Sequence, residues 1–342
     1  MKHLEQCMEE LLGKGSAQNL IVKIGEGHET LCEYYLTSED RELNGETLFD
    51  LESLTKIVCT APLAMIAMDK GLLSPTDTVG KFFDCEIPED RQGMTVEHLL
   101  THTSGHRNRS IFRAKGTKYD VWRYLASECS MQFPVGTDLA LSCRGYILLG
   151  CILERVFGCP LQIAFDRYIA KPLGMAHTEF IPDDRSNLIP SIDDPTLLGS
   201  PLDANARLLG GVAGNCGLFG CLNDLTKYAD MLLSEGAPLM SREIFLQGRS
   251  VRTPGMREAR GYGFLFIDET YPHTGALFPA GSFGHVAFTG QSLFVDPASG
   301  RYVIVLSDSA LATERKYGHV IFSEVVALRR SIHEAILADL SE

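Results

Sequence analysis

The sequence places strand patterns near both ends of the chain and helical patterns between them. The middle, from about 80 to 200, repeats apolar residues at helical spacing, as in V-E-H-L-L and G-Y-I-L-L-G-C-I-L-E-R-V. Runs that are typical of strands lie at 19–24, 30–35, 261–267, 285–296 and 301–307. This order predicts an α/β (α+β) fold, in which an antiparallel sheet with N- and C-terminal helices is interrupted by an inserted all-α lobe.

The predicted fold divides the chain into two lobes. Residues 1–79 and 201–342 would form the α/β lobe, and residues 80–200 would form the inserted helical lobe. With 342 residues, of which 45% are hydrophobic, the chain can bury the large core that two lobes require. We expect a functional site in the cleft between them.

Composition narrows the class of partner. The net charge of −13 disfavours nucleic acid and anionic membrane surfaces, since both need basic patches. No apolar run approaches the ~18 residues of a membrane span, and the first residues lack the apolar segment of a secretory signal. Ten scattered cysteines without a C-x-x-C pair predict free thiols and no metal site. We therefore expect a cytoplasmic protein that uses no cofactor and acts on a small molecule; the oligomeric state stays open.

One serine and one lysine stand three residues apart at the start of an apolar helical segment. In F-D-L-E-S-L-T-K-I-V they are Ser53 and Lys56. Three residues along an α-helix rotate a side chain by about 300° and advance it by about 4.5 Å, so the two share a face. Burial would lower the pKa of the lysine toward roughly 7 to 8, where an amine can accept the serine proton. The pair predicts a serine nucleophile activated for acyl transfer.

The same two residues have a simpler interpretation. Ser53 would then be a helix N-cap, and Lys56 a surface lysine one turn later. A serine and a lysine at this spacing arise by chance on the order of once per chain. The flanking sequence decides between the two interpretations.

Longer segments along the chain follow a recognisable order. They are L-F-D-L-E-S-L-T-K-I-V, M-T-V-E-H-L-L-T-H-T-S-G (94–105), K-P-L-G-M-A-H-T-E-F (171–180), G-G-V-A-G-N-C-G-L-F (210–219) and F-G-H-V-A-F-T-G-Q-S-L-F-V-D-P (283–297). In order and spacing, over about residues 45–310, they resemble the serine β-lactamase and penicillin-binding-protein superfamily, especially its class C-like esterases and D-amino-acid peptidases. The resemblance implies that fold, with Ser53 as the acylated nucleophile and Lys56 as its proton acceptor.

The third signature of that superfamily falls at His285-Val286-Ala287. The resemblance implies that His285 is a catalytic residue on a strand that faces the serine. It also implies an oxyanion hole made by the backbone amides of Ser53 and Phe288. Ala287 replaces the usual glycine, and its methyl group is expected to narrow that edge of the substrate cleft.

The second signature, which in class C-like relatives reads Y-x-N, is altered. Its three positions hold Leu141, Ser142 and Cys143. Leucine cannot carry a proton, so the group that helps the lysine move protons is missing. Ser142 is the nearest hydroxyl that could substitute, although it would equally serve as a helix N-cap. Leu141 and Cys143 are expected to line the cleft.

Three histidines, His98, His102 and His106, follow one another in V-E-H-L-L-T-H-T-S-G-H. No H-E-x-x-H glutamate stands between the first two, so a structural role is favoured over a metal site. Taken together, the sequence predicts a serine hydrolase that acts on a small ester or amide through an acyl-Ser53 intermediate. Two alternatives stay open: a pseudoenzyme that only binds a small ligand, and an acyltransferase that uses the same serine.

Overall fold

A computed structural model describes residues 1–107, 118–268 and 274–342, with side chains described outside 118–120. Its main sheet has six antiparallel strands in the order β2-β1-β9-β8-β7-β6, and a small sheet has the order β3-β5-β4. The strands are β1 (Asn19–Glu26), β2 (Glu29–Thr37), β3 (Phe49–Asp50), β4 (Glu179–Phe180), β5 (Leu218–Gly220), β6 (Leu265–Phe266), β7 (Phe283–Val286), β8 (Ser292–Asp296) and β9 (Arg301–Ser307).

Helices precede, interrupt and follow the main sheet. They are α1 (Lys2–Gly13), α2 (Ala61–Asp69), α3 (Val96–Leu100), α4 (Lys118–Arg123), α5 (Cys143–Phe157), α6 (Leu161–Phe165), α7 (Lys171–Leu173), α8 (Ala204–Leu208), α9 (Leu222–Leu233), α10 (Arg242–Gly248), α11 (Ser309–Tyr317) and α12 (Phe322–Ser341). Within the described ranges, no single helix is long and apolar enough to cross a membrane; α5 and the segment 161–173, bent by 69°, pass that test only as a pair.

The two ends of the chain meet in the main sheet, as the sequence predicted. β1 pairs with β2 on one side and with β9 on the other, so that Leu20 lies opposite both Leu36 and Ser307. Seven of the eight residues of β1 are buried, and four of them, Leu20, Ile21, Val22 and Ile24, are aliphatic. The predicted antiparallel sheet with terminal helices is thus confirmed. The lobe boundaries near residues 79 and 201 stay a prediction.

One predicted strand is much shorter than its sequence pattern. The run 261–267 keeps only Leu265–Phe266 as β6. Gly263 has a φ of +81°, and a Cβ there would come within 2.8 Å of the Ala61 side chain. The chain therefore turns at Gly263, against the start of α2, because only glycine adopts that backbone so close to a neighbour.

His106 ties the loop after α3 into the interior of the protein. Its Nδ1 lies 2.9 Å from Ser104 Oγ and its Nε2 lies 3.0 Å from the Leu125 carbonyl oxygen. Burial lowers the pKa of His106 from 6.5 to about 4, against the opposing effect of the Leu125 carbonyl. His106 is thus an internal hydrogen-bonding residue.

This histidine should make the fold sensitive to acid. Because the pKa of His106 is lower in the folded chain, the unfolded chain takes up its proton first, and stability falls as pH drops from about 6.5 to about 4. The loss from this group amounts to at most about 3 kcal/mol. We expect His106→Asn to reduce the acid-induced fall in the free energy of unfolding, measured by urea titration at pH 7 and pH 4.5. His319→Asn, at an exposed position, is the control; an equal effect of both substitutions would contradict the assignment.

Candidate active site

Ser53 and Lys56 meet, although the helix that carries them differs from the predicted one. Glu52–Leu54 form a 3₁₀ turn and Lys56–Thr60 a π-helical turn, and only then does the α-helix α2 begin. Lys56 Nζ nevertheless donates to Ser53 Oγ at 2.8 Å. Irregular turns of this kind are frequent at functional sites. The simpler interpretation of Lys56 as a surface residue is wrong, because its side chain is 3% exposed.

The segment 210–217 holds the lysine from the other side. Lys56 Nζ also donates to the Asn215 carbonyl oxygen at 3.2 Å, and Thr60 Oγ1 donates to the Gly214 carbonyl oxygen at 2.6 Å. The ring centroid of Tyr146, on α5, lies 5.9 Å from Lys56 Nζ. The ammonium is therefore enclosed by backbone carbonyl and aromatic groups, which favour a cation.

The predicted lowering of the lysine pKa is wrong. Burial by itself lowers the pKa of Lys56, as expected. The acidic groups around it raise the pKa by more, and in order of size they belong to Cys143, Cys216, Glu52 and Asp203. The pKa of Lys56 consequently lies above its ordinary value, and Lys56 is an ammonium in the resting site at neutral pH.

The two amides predicted for the oxyanion hole converge on one point. The backbone N–H groups of Ser53 and Phe288 donate to the same oxygen, Glu52 Oε2, at 2.5 and 2.9 Å. Convergence on one acceptor is the geometry that an oxyanion hole requires. In this structure the acceptor is a carboxylate oxygen of the chain itself.

The three positions of the altered second signature lie at the start of α5. Leu141 is 44% exposed. Ser142 is buried and is the N-cap of α5, since its Oγ accepts the Gly145 amide N–H at 3.3 Å. Its own amide donates to His102 Nδ1 at 3.1 Å. The described contacts of Ser142 are thus those of a helix cap, and a catalytic role for it stays a prediction.

Cys143 lies beside the lysine and is paired with a second thiol. Its side chain is hydrogen-bonded to Cys216, which follows Asn215 in the segment that holds Lys56. The hydrogen bond between the two sulfur atoms and the charge of Lys56 hold the pKa of Cys143 below its ordinary value, whereas burial raises the pKa of Cys216. Cys143 is therefore the more acidic thiol of the pair.

The third signature occupies the end of β7. His285 is buried, and its Nδ1 donates to the Val286 carbonyl oxygen at 2.7 Å. Burial, followed by the charges of Arg260 and Lys56, lowers the pKa of His285 well below its usual range, so the ring is neutral. Ala287 is also buried, and its amide donates to the Gln291 carbonyl oxygen at 2.8 Å. The narrowing of the cleft by Ala287 stays a prediction.

The remaining histidines support the backbone around the site. His98 Nδ1 accepts the Thr95 amide N–H at 3.0 Å, in a capping box at the start of α3. His102 binds the Ser142 amide, as described above, and its ring packs against Tyr146 with centroids 4.9 Å apart. These contacts agree with the structural role predicted for both residues.

The sequence from residue 4 to residue 320 matches the Beta-lactamase family. The chain belongs to this family. Its members are serine hydrolases. Ser53 and Lys56, which the sequence predicted as nucleophile and proton acceptor, lie within hydrogen-bonding distance of each other.

Individual members of the beta-lactamase family extend the comparison. The N-acetylmuramyl-L-alanine amidase of Bacillus subtilis (strain 168) is 24% identical over 324 residues, which cover 83% of this chain and 71% of the amidase. EstCE1, a hydrolase with promiscuous acyltransferase activity, superimposes with a TM-score of 0.78 at 20% identity over 97% of this chain and 98% of its own. The beta-lactamase/D-alanine carboxypeptidase of Yersinia pestis, complexed with citrate, gives 0.74 at 18% identity over 98% of each chain. These structures confirm the β-lactamase/transpeptidase-like fold.

Two residues of this family member were missed as site residues by sequence reasoning. In the sequence, Glu52 directly precedes the predicted nucleophile, and Cys216 lies in the glycine-rich segment 210–219. In the structure, the carboxylate of Glu52 accepts from the two amides predicted to form the oxyanion hole and from the Cys216 thiol, the last at 3.3 Å. For Glu52, the available signal was a charged residue directly before the predicted nucleophile.

Proposed function

We propose that the protein is a serine hydrolase that forms an acyl-Ser53 intermediate with a small ester or amide, as an esterase, amidase or D-peptidase-like enzyme. The observation that carries the proposal is the 2.8 Å hydrogen bond between Lys56 Nζ and Ser53 Oγ in a buried site. A serine hydroxyl in contact with a buried lysine is a nucleophile that the lysine can activate for acyl transfer once it has lost a proton. Membership of the beta-lactamase family supports the same chemistry.

The proposed reaction has two stages. Ser53 Oγ attacks the carbonyl carbon of the substrate and loses its proton, while the carbonyl oxygen takes the negative charge. The amides of Ser53 and Phe288 stabilise that oxygen, and the leaving alcohol or amine takes up the proton as its bond to the acyl group breaks. Water then attacks the acyl-serine ester by the same route in reverse, which releases the acid and restores the hydroxyl.

Proton transfer in this scheme uses the lysine and the neighbouring thiolate. As an ammonium, Lys56 cannot accept the serine proton until it has given up one of its own. Cys143 is the acceptor that the structure offers, since each of the two groups shifts the pKa of the other toward the ion pair. We infer that a proton moves from Lys56 to Cys143, and that the resulting amine takes the proton of Ser53. Cys143 would thus carry the proton that a tyrosine carries in relatives, where this chain has Leu141.

Intact-protein mass spectrometry tests the proposal. The protein is exposed to a fluorophosphonate probe, and separately to p-nitrophenyl esters, D-amino-acid amides and nitrocefin. We expect one adduct per chain, mapped to Ser53 by peptide analysis, because only an activated hydroxyl reacts with the probe. Adding a primary alcohol distinguishes acyl transfer from hydrolysis by its products. Absence of labelling in both the wild type and Glu52→Ala, which frees the two amides, would overturn the proposal, as would labelling at another residue.

A second candidate, a protein that binds a ligand without turning it over, is favoured by one observation. The oxyanion hole is filled by Glu52, and Leu141 stands where a proton carrier is expected. A binding protein has no reason to keep Ser53 reactive, so the same labelling experiment separates the two candidates.

A further inference from the structure

The side chain of Glu52 occupies the position that the reacting carbonyl oxygen needs. Both oxyanion-hole amides, of Ser53 and Phe288, donate to its Oε2, and the Cys216 thiol donates to its Oε1. An oxyanion hole acts only on an oxygen that reaches both of its donors. A substrate carbonyl must therefore displace the Glu52 carboxylate before Ser53 can be acylated.

The surroundings of Glu52 fix its carboxylate in the hole. The residue is 7% exposed, and its φ of +43° lies in the left-handed region that glutamate rarely adopts. The Asp50 carboxylate accepts the Glu52 amide N–H at 2.9 Å and holds this backbone conformation. Backbone strain of this kind persists where the neighbouring structure imposes it, and it is concentrated at functional sites.

The cost of displacing the carboxylate depends on the substrate. A neutral acyl donor takes both amides from Glu52 and leaves a buried charge without these partners. Lys56 cannot compensate at that moment, because it must be neutral to accept the serine proton. A donor with an ammonium group next to its carbonyl places a positive charge within reach of the displaced carboxylate, and a charge-assisted hydrogen bond replaces what was lost.

An ion pair between the substrate ammonium and Glu52 would also favour the neutral form of Lys56, which accepts the serine proton. The charge of Glu52 is one of those that raise the pKa of Lys56. When a substrate ammonium neutralises that charge, deprotonation of Lys56 becomes easier. A cationic donor would therefore open the oxyanion hole and activate the base in one binding step.

We propose that Glu52 is a specificity-determining residue, which selects acyl donors that carry a free ammonium group beside the reacting carbonyl. Esters and amides of amino acids with an unblocked amino group are the chemical class that fits. The inference rests on the proposed acyl-Ser53 chemistry. It assigns to Glu52 the selection, among the small esters and amides of that proposal, of donors with a free ammonium group.

Matched substrates provide the test. D- and L-alanine p-nitroanilide are each compared with their N-acetyl forms, which differ by one charge beside the carbonyl. For the better enantiomer, we expect wild-type kcat/KM to be about tenfold or more higher for the free amine, a difference of about 1.4 kcal/mol. Glu52→Gln should bring the ratio close to one. Glu52→Ala, which empties the hole, should raise the rate with the N-acetyl form. Glu9→Gln, at an exposed position on α1, removes the same charge elsewhere and should leave the ratio unchanged.

The pH dependence of that ratio gives a second measurement. An α-amino group has a pKa near 7.7 to 8.0, so the wild-type preference should fall as pH rises from 6 to 9. The groups of the protein that face Glu52 also titrate, and they are Asp50, Lys56, Cys143 and Cys216. Glu52→Gln retains these groups, so the part of the pH dependence that the substitution removes belongs to Glu52. With Glu52→Gln the ratio should fall less between pH 6 and pH 9.

The possible failures can be told apart. If Ser53 is acylated but the ratio is the same in wild type and Glu52→Gln, the role of Glu52 is overturned and the acyl-serine chemistry stands. If fluorophosphonate labels Ser53 in neither wild type nor Glu52→Ala, the proposed function fails, and the substrate preference fails with it. Faster reaction of the N-acetyl form in the wild type would also overturn the preference.

Discussion

Ser53→Ala should lower the turnover of any ester or amide that the wild-type protein hydrolyses by about 10³- to 10⁶-fold. The reason is direct, because no acyl intermediate can form without the hydroxyl that Lys56 contacts at 2.8 Å. The substitution removes one hydrogen bond and little volume, so the fold should persist. Steady-state kinetics with the substrate found in the labelling experiment measures the effect, and circular dichroism confirms the fold.

Ser142→Ala is the matched comparison, since Ser142 is the other serine that sequence reasoning placed in the site. As the N-cap of α5, it should contribute about 0.5 to 2 kcal/mol of stability through its bond to the Gly145 amide. If the cap is its whole role, turnover at 25 °C is retained while the unfolding midpoint falls. A loss of turnover as large as that of Ser53→Ala would show that its hydroxyl carries protons. Equal turnover of Ser53→Ala and wild type would end the acyl-serine mechanism.

The Ser53–Lys56 contact was predictable from the sequence because it depends on local spacing and on burial. Three residues bring two side chains together on an α-helix, and the 3₁₀ and π-helical turns found here keep that contact at 2.8 Å. The main sheet was predictable for a similar reason, since apolar runs such as that of β1 show which segments are buried. The exception is β6, which is shorter than the residue pattern of 261–267 predicts. The reason is that the chain turns at Gly263.

The charge state of the site was not predictable, because it depends on residues that are distant in sequence. Burial alone gave the wrong direction for the pKa of Lys56, since Cys143 and Cys216 approach it from α5 and from the segment 210–217. The position of the Glu52 carboxylate depends likewise on Phe288, which is 236 residues away. Sequence spacing does not reveal contacts of that kind.

Gly214→Ala should damage both the fold and the site. A Cβ at this position would lie 2.1 Å from the Tyr146 carbonyl oxygen and 3.0 Å from the backbone of Gly150, so α5 and the segment 210–217 would have to separate. Overpacking of this kind costs about 1 to 3 kcal/mol of stability, and more where backbone atoms must move. The neighbouring Asn215 carbonyl, which accepts from Lys56 at 3.2 Å, would move with it. A misplacement of a catalytic group by about 1 Å lowers the reaction rate by about 10²-fold, so we expect slower labelling of Ser53.

Gly13→Ala is the control for the same chemical change. Nothing lies within 4 Å of an added Cβ at Gly13, whose backbone is outside the left-handed region, so the substitution should leave stability unchanged or raise it by up to about 1 kcal/mol. Urea unfolding and the rate of Ser53 labelling are measured for both variants. A Gly214→Ala protein with wild-type stability and a slow labelling rate would place the effect on Lys56 alone. Wild-type values for both measurements would show that α5 and the segment 210–217 can separate freely, and that the Asn215 carbonyl does not position the lysine.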